Sequence, residues 1–199
     1  MKTCVCPVPT VIPTLSAIDP CPVNTGQIQR LIFVDRGTEY VIASLAANTY
    51  WAAKQISIGT DRCVFSPLIG NPEFEPGDVS EFGGGNETLN GVPLVVGLEP
   101  TTFTFRFYSL QKGMAAELKD MACREVDVFL VNENNQIVYN EKSTTTATGF
   151  PIRQFSVSDR RIGGYSEPDY NNGKIMFSED WSDNFTMTKE ITSWNPLSI

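Results

Sequence analysis

Alternation of apolar and polar residues predicts β-strands along most of the chain. The clearest example is 102–108, where Phe103, Phe105 and Phe107 alternate with Thr104 and Arg106. This period of two is typical of a strand with one buried face. Similar or continuously apolar runs predict further strands at 28–34, 40–44, 56–58, 63–65, 126–131, 136–139, 150–158, 174–178 and 185–192. The turn at 35–38 favours pairing of 40–44 with the strand before it.

One segment has a helical period. Leu110, Met114, Leu118 and Met121 recur at intervals of four, four and three residues, which predicts a helix at about 109–124 with Ser109 as its N-cap. A second, short helix is predicted at 48–55. The fold class is therefore α+β and predominantly β, with a β-sandwich or barrel-like sheet on which one main helix packs.

The chain divides into an arm and a single domain. Residues 1–26 contain five prolines, each of which fixes φ and lacks a donor N–H, so this segment is expected to be an extended arm. The arm either packs on its own domain or reaches a neighbouring subunit. Residues 27–199 are expected to form one mostly β domain, a length that suits a single core.

The stretch 66–91 differs in character from the rest. It is interrupted by prolines and glycines, and it contains Glu73, Glu75, Asp78, Glu81 and Glu87 with no Lys or Arg. We expect a long acidic loop or an acidic hairpin here. A phosphate-binding role for Gly83–Gly85 is disfavoured, because no Lys follows at P-loop spacing.

The composition limits the classes of function. The net charge of −8 argues against affinity for nucleic acid through phosphate neutralisation, although DNA could pass such a surface without binding. The sequence has no His, which removes the commonest general base and the commonest zinc ligand. No N-terminal signal segment and no membrane span are predicted. The residues predict no catalytic set and no cofactor.

Two sets of residues could still hold a metal. A zinc site from Cys4, Cys6, Cys21 and Cys63 is conceivable, but the spacing is less regular than in structural zinc sites and favours ordinary thiols. A calcium site, or a pair of hydrolytic carboxylates, could come from the acids and amide near 174–178, which are Asp169, Asn171, Glu179, Asp180 and Asp183. Ordinary turn chemistry explains these residues equally well.

Aromatic and basic residues leave further alternatives open. Trp51, Trp181 and Trp194 are expected to be core or interface anchors more often than ligand platforms. The pair Arg160–Arg161 is interpreted as a solvated turn, or as a contact for a neighbour's acidic loop. The acids around Trp181 support an alternative function, a carbohydrate- or receptor-binding β-sandwich module with or without calcium.

Several stretches together resemble virion proteins of tailed bacteriophages, especially phages of Bacteroidetes-type hosts. They are the Cys/Pro-rich start that leads into Gly26–Leu31, the stretch from Asn71-Pro72-Glu73 to Phe82–Thr88, the strand-helix-strand at 102–131, and Gly149-Phe150-Pro151 with the alternating C-terminal strand. The resemblance is one of general sequence character over most of the chain, and no diagnostic motif carries it.

The resemblance implies a structural subunit and not an enzyme. It implies a tail tube or head-to-tail connector protein that forms a ring, six-fold or twelve-fold, with copies of itself and with other virion proteins. DNA would pass nearby without specific binding, and no membrane would be involved. The protein would be assembled in the host cytoplasm and reside in the virion.

Overall fold

The computed structural model describes residues 25–84 and 92–198. The strands are β1 (Ile28–Asp35), β2 (Tyr40–Val41), β3 (Cys63–Phe65), β4 (Ile69–Glu75), β5 (Val79–Phe82), β6 (Leu94–Leu98), β7 (Thr102–Tyr108), β8 (Val126–Asn132), β9 (Ile137–Glu141), β10 (Thr146–Thr148), β11 (Phe150–Val157), β12 (Tyr170–Phe177) and β13 (Phe185–Met187). The helices are α1 (Asn48–Gln55) and α2 (Met114–Met121), and Ile42–Ser44 form a 3₁₀ turn.

Most of these strands belong to one curled antiparallel sheet. Its order is β2-β10-β9-β8-β11-β12-β7-β4, with β1 paired to β8 and β3, and β13 paired to β9. This confirms the predicted class, a predominantly β fold with a barrel-like sheet. No helix among the described residues is long and apolar enough to cross a membrane.

The pair β1–β8 lies at the centre and is buried on both faces. Leu31 and Phe33 face a first core, which also contains Phe103, Phe105 and Phe107 of the predicted alternating strand. Ile32 and Val34, whose side chains point the other way, face a second core around Trp51. All seven residues of β8 are buried. The sheet therefore separates two hydrophobic cores.

The chain crosses from one half of the sheet to the other at Gly149. β10 pairs with β9, whereas β11 begins on β8 and then pairs with β12. A Cβ on Gly149 would lie 2.8 Å from both the Asp127 Cβ and the Val128 backbone nitrogen. Only glycine lets the backbones approach this closely. Gly149 therefore allows the chain to pass from β10, which pairs with β9, to β11, which pairs with β8 and β12.

The main helix is shorter than the predicted 109–124. α2 begins at Met114, and its N-cap is Gly113 with φ of +88°. Ser109 is not the N-cap, because it has φ of +49° and its N–H donates to the Asp169 carbonyl at 2.9 Å. A residue with positive φ interrupts an α-helix, so the five residues 109–113 before Met114 stay outside it. The apolar stripe still packs inward: Leu110 and Leu118 are buried.

Other boundaries also differ from the sequence predictions. The segment at 40–44 does not pair with β1; its strand part, β2, pairs with β10. No strand forms at 56–58, and the strand predicted at 185–192 ends at Met187. After Met187 a side chain enters the ladder, since the Thr188 hydroxyl accepts the N–H of Ile137 at 3.0 Å. The helix predicted at 48–55 is confirmed. Most of the predicted arm lies outside the described residues.

Asp127 is a buried carboxylate in the middle of β8. Its Oδ2 accepts the N–H of Gly37 at 2.8 Å, and its Oδ1 lies 3.7 Å from Arg36 Nε. Within the described part of the chain Oδ1 has no hydrogen-bond partner. Burial raises the pKa of Asp127 above the usual carboxyl value, and the Gly37 N–H and Arg36 offset only part of this.

The close approach at Gly149 predicts a cost for any side chain there. Gly149→Ala should lower the free energy of unfolding by about 1 to 3 kcal/mol, because a methyl group would press on the backbone of β8. Gly164→Ala is the matched control, since its Cβ would meet nothing within 4 Å. Urea denaturation measures both, and equal effects of the two substitutions would contradict the role given to Gly149.

The raised pKa of Asp127 predicts a pH dependence. The folded state binds this proton more readily than the unfolded state, so lowering the pH from 7 to about 5 should stabilise the wild type relative to Asp127→Asn. Asn retains an oxygen for the Gly37 N–H. Urea unfolding of both proteins at the two pH values gives the difference. A change of opposite sign would mean that the Arg36 contact outweighs burial.

Candidate functional site

The acids proposed for calcium do not come together. Asp169 and Asn171 lie at the start of β12, whereas Glu179, Asp180 and Asp183 follow its end. Eight extended residues span more than about 20 Å. Among residues 25–84 and 92–198 no three His, Cys, Asp or Glu side chains are placed to hold a metal. The five residues therefore do not form one cluster in the described part of the chain.

These polar residues stabilise turns and strands instead. Asp169 Oδ1 accepts the Gly163 N–H at 2.8 Å, Asn171 donates to the Ser158 carbonyl at 3.0 Å, and Glu179 pairs with Arg153 at 2.8 Å. The turn at Asp180 has φ of +56°, and its carbonyl accepts the Asp183 N–H. Turn chemistry, the simpler of the two alternatives, accounts for them.

Cys63 is placed unfavourably for zinc. It is 1% exposed, its Sγ lies 3.8 Å from the Trp51 carbonyl, and burial raises the pKa of its thiol to about 12. A zinc ligand must be a thiolate, which this environment disfavours. Cys4, Cys6 and Cys21 lie outside the described residues.

Of the three tryptophans Trp51 lies in the interior, whereas Trp181 and Trp194 are partly buried against the first and the second core. Trp51 is fully buried, and its Nε1 donates to the Leu45 carbonyl at 2.7 Å. Trp181 stacks on Phe177 with 4.4 Å between ring centroids, and it also contacts Phe74 and Phe150. A ring whose face is covered in this way is an anchor of the first core and leaves little surface on which a sugar could stack.

Arg160 and Arg161 bind within their own chain. Arg160 donates to the Leu110 carbonyl, and Arg161 donates to the Tyr170 hydroxyl and lies over its ring. Both fix the segment after β11 against β7 and β12. The structure thus gives them a local role.

The feature that the core does not explain is the exposed hairpin, defined as β5 and β6. These strands pair with each other in a separate two-stranded sheet. Every one of their apolar side chains is exposed, from 43% at Leu98 to 70% at Val96, with Phe82 at 60%. Two-stranded hairpins are marginal in water without a surface to pack on, so this hairpin is a candidate contact surface.

The base of the exposed hairpin is held closely. β4 leads into β5, and β6 leads into β7. β4 and β7 pair with each other in the main sheet. The Glu99 N–H donates to the Asp78 carbonyl at 2.9 Å, and a Cβ on Gly77 would lie 1.7 Å from the Glu99 carbonyl oxygen. The hairpin therefore continues from a well-supported pair of strands.

The exposed hairpin lies in a purely acidic part of the chain. Between Arg62 and Arg106 the sequence has no Lys or Arg. The described acids of this stretch form no ion pair with another described residue; they are Glu73, Glu75, Asp78, Glu81 and Glu99. An apolar ribbon flanked by unpaired carboxylates suits a partner surface that is both apolar and basic.

Sequence reasoning missed half of this site. The segment 66–91 was expected to be a loop or a hairpin, but β6 at Leu94–Leu98 was not predicted as a strand. A signal was present: Leu94, Val95 and Val96 form a short apolar run between Pro93 and Pro100. Runs of this kind are typical of strands.

The base of the hairpin predicts a local effect of one methyl group. Gly77→Ala should force the two legs apart and make the Glu99 amide exchange about tenfold faster, because it loses its bond to Asp78. Gly97→Ala is the control, since its Cβ meets nothing within 4 Å. Amide hydrogen exchange by NMR measures both. Unchanged exchange at Glu99 in the Gly77 variant would contradict the tight base.

Comparisons with known proteins give little more. No family model matches the chain, and no curated protein matches it. Among solved structures, a chain of the anti-feeding prophage baseplate determined by cryo-EM is similar at 11% identity with a TM-score of 0.35, covering 86% of this chain and 98% of that one. A TM-score of this size is too low to assign either fold or role.

Proposed function

We propose that this chain is a non-catalytic structural subunit of a bacteriophage virion that works by binding other copies of itself and other virion proteins. The observation that carries the proposal is the exposed hairpin. Its apolar side chains would be costly to leave in water, at about 25 cal/mol for each Å² of apolar surface. Their exposure is reasonable only if assembly covers them.

The rest of the molecule supports a structural role. The two cores contain most of the aromatic residues, and the polar residues near β12 stabilise turns and strands. The candidate sites from the sequence thus become parts of a scaffold. The remaining candidate for function is the protein surface, through which a structural subunit binds its neighbours.

The assignment to a phage virion rests on the sequence resemblance. Within that class we favour a tail tube or head-to-tail connector ring through which DNA passes. The net charge of −8 supports this choice, because an acidic wall repels DNA and lets it slide. The proline-rich arm at 1–26 is a second proposed contact between subunits.

The proposal predicts self-association that depends on the hairpin. The wild-type protein should form rings or tubes, seen as a molar mass that rises with concentration in light scattering and as particles in negative-stain images. Replacing Phe82 and Leu94 by Ser should weaken association at least tenfold, since each removes an apolar anchor. Its melting temperature should stay close to that of the wild type.

The control is an apolar residue that is equally exposed elsewhere. Ile162 is 81% exposed in the segment after β11, and Ile162→Ser should leave association unchanged. A wild-type protein that stays monomeric at millimolar concentration would overturn the proposed function. So would equal losses of association in the hairpin variant and in the Ile162 variant.

A further inference from the structure

The exposed hairpin presents apolar side chains on both of its faces. Residues that lie opposite each other in an antiparallel pair share a face. Val79 lies opposite Leu98 on one face, and Phe82 lies opposite Leu94 on the other. A flat partner surface would cover only one of these sets. A chain segment that passes along the hairpin can lie against both, so a segment suits this ribbon better than a flat surface does.

The charge around the hairpin restricts what can cover it. Glu81 lies within β5, and Asp78 and Glu99 lie at the base of the hairpin. A second hairpin would bring the same carboxylates into the contact, and like charges placed side by side are repelled. The groove between α2 and β3 is lined by three carboxylates and two arginines, so its charge does not favour the hairpin either.

The first 18 residues of the chain combine apolar side chains with an absence of acids. Lys2 is their only charged side chain. Their branched aliphatic side chains are those of Val5, Val8, Val11, Ile12, Leu15 and Ile18. Acid-free stretches of similar length also occur at 40–60, 100–116 and 142–158, but these contribute strands and helices to the described domain. Residues 1–18 precede that domain, and they can meet an acidic ribbon without repulsion.

The prolines determine which kind of contact this segment can make. Pro7, Pro9 and Pro13 have no N–H to donate to a ladder, so the segment cannot add a regular strand to an edge of the hairpin. Proline-rich segments bind exposed aromatic surfaces through their side chains. Phe82, which is 60% exposed, provides an aromatic ring on the hairpin. The contact is therefore expected on the faces of the ribbon.

The described residues fix the point at which the segment joins the domain. The Asn132 amide donates to the Thr25 carbonyl at 2.7 Å, the Gln27 N–H donates to the Glu133 carboxylate at 3.2 Å, and the Glu133 N–H donates to the Gln27 carbonyl at 2.9 Å. Residues 1–24 precede this point. At about 3.1 Å per residue, an extended proline-rich chain of this length spans about 70 Å. A domain of this size is about 40 Å across, so the segment is long enough to reach a second copy.

We propose that residues 1–18 of one copy cover the exposed hairpin of a second copy. This rests on the proposed function and names the segment that binds the hairpin. The aliphatic side chains of the segment, among them Val11 and Ile12, pack on Phe82 and Leu94. The segment and the hairpin are different parts of one chain, so the contact is head-to-tail and produces a closed ring or an open tube.

Disulfide cross-linking tests which surfaces meet. The segment contains Cys4 and Cys6, and Val96→Cys places a thiol on the hairpin. Oxidation with copper phenanthroline should join the introduced thiol to Cys4 or Cys6 of another copy, giving dimers and longer ladders on a denaturing gel without reductant. Mass spectrometry of the linked peptides identifies the pair. Ile162→Cys, equally exposed elsewhere, is the matched control, and Cys123→Ser in both variants removes an exposed native thiol.

Substitutions in the segment test the apolar contact and the charge together. Val11→Asp with Ile12→Asp should weaken self-association at least tenfold, because it adds carboxylates to an acidic contact. Val11→Lys with Ile12→Lys removes the same aliphatic side chains but adds positive charge, so it should weaken association less. Light scattering measures association. Both variants should melt like the wild type, and a melting temperature lowered by several degrees in both would mean that the segment packs on its own domain.

A mixing experiment tests whether the contact is head-to-tail. The Val11→Asp, Ile12→Asp variant keeps a good hairpin, and the Phe82→Ser, Leu94→Ser variant keeps a good segment. Each should be monomeric alone, because a head-to-tail contact needs both parts in every copy. Mixed in equal amounts, they should form a dimer and nothing larger. Analytical ultracentrifugation measures the masses.

The outcomes separate the inference from the proposed function. A Val11→Asp, Ile12→Asp variant that assembles like the wild type would overturn the inference alone. So would equal cross-linking of the hairpin thiol and the control thiol, or a hairpin disulfide that forms only within one chain. A mixture that stays monomeric while the wild type assembles would have the same meaning. A wild-type protein that never associates would overturn both the proposed function and the inference.

Discussion

The fold depends on the burial of the pair β1–β8 on both faces. Each fully buried large apolar side chain contributes about 1.5 to 3 kcal/mol, and these strands place such side chains in two cores at once. A strand in this position has to be apolar along its whole length. β8 meets this condition except at Asp127 and Asn132. It also needs partners on both edges: β8 pairs with β1 on one edge and with β9 and β11 on the other, and the chain enters β11 directly after Gly149. The whole curled sheet follows from this arrangement.

Much of this could be predicted from the sequence, because the signals are local. Alternation at Phe103, Phe105 and Phe107 identified β7, and the continuous apolar run at 126–131 identified β8. The helix length could not be obtained from the stripe alone. Leu110 continues the period, but the positive φ at Ser109, whose N–H is bonded to Asp169, and at Gly113 delays the start of the helix to Met114. Contacts far along the chain decide such boundaries.

The acids on either side of β12 do not form one cluster, and the reason is geometrical. Asp169 and Glu179 are only ten positions apart in the sequence, yet the extended strand between them places them at opposite ends of β12. Proximity in sequence gathers side chains only when the chain turns back between them. The exposed hairpin shows the converse, since β5 and β6 are separated by a glycine-rich stretch of sequence and still pair. Its apolar run was visible at Leu94–Val96, but its exposure could be seen only once both cores were filled without it.

Acidic and apolar residues act together on the exposed hairpin. Apolar strands with open edges would bind one another without selection, and charge is one of the means by which proteins prevent this. Here the carboxylates around the ribbon disfavour pairing with a second hairpin, and the net charge of −8 disfavours unselective association of whole molecules. The same carboxylates therefore make unselective pairing of hairpins unfavourable, and the strength of any contact is left to the apolar side chains.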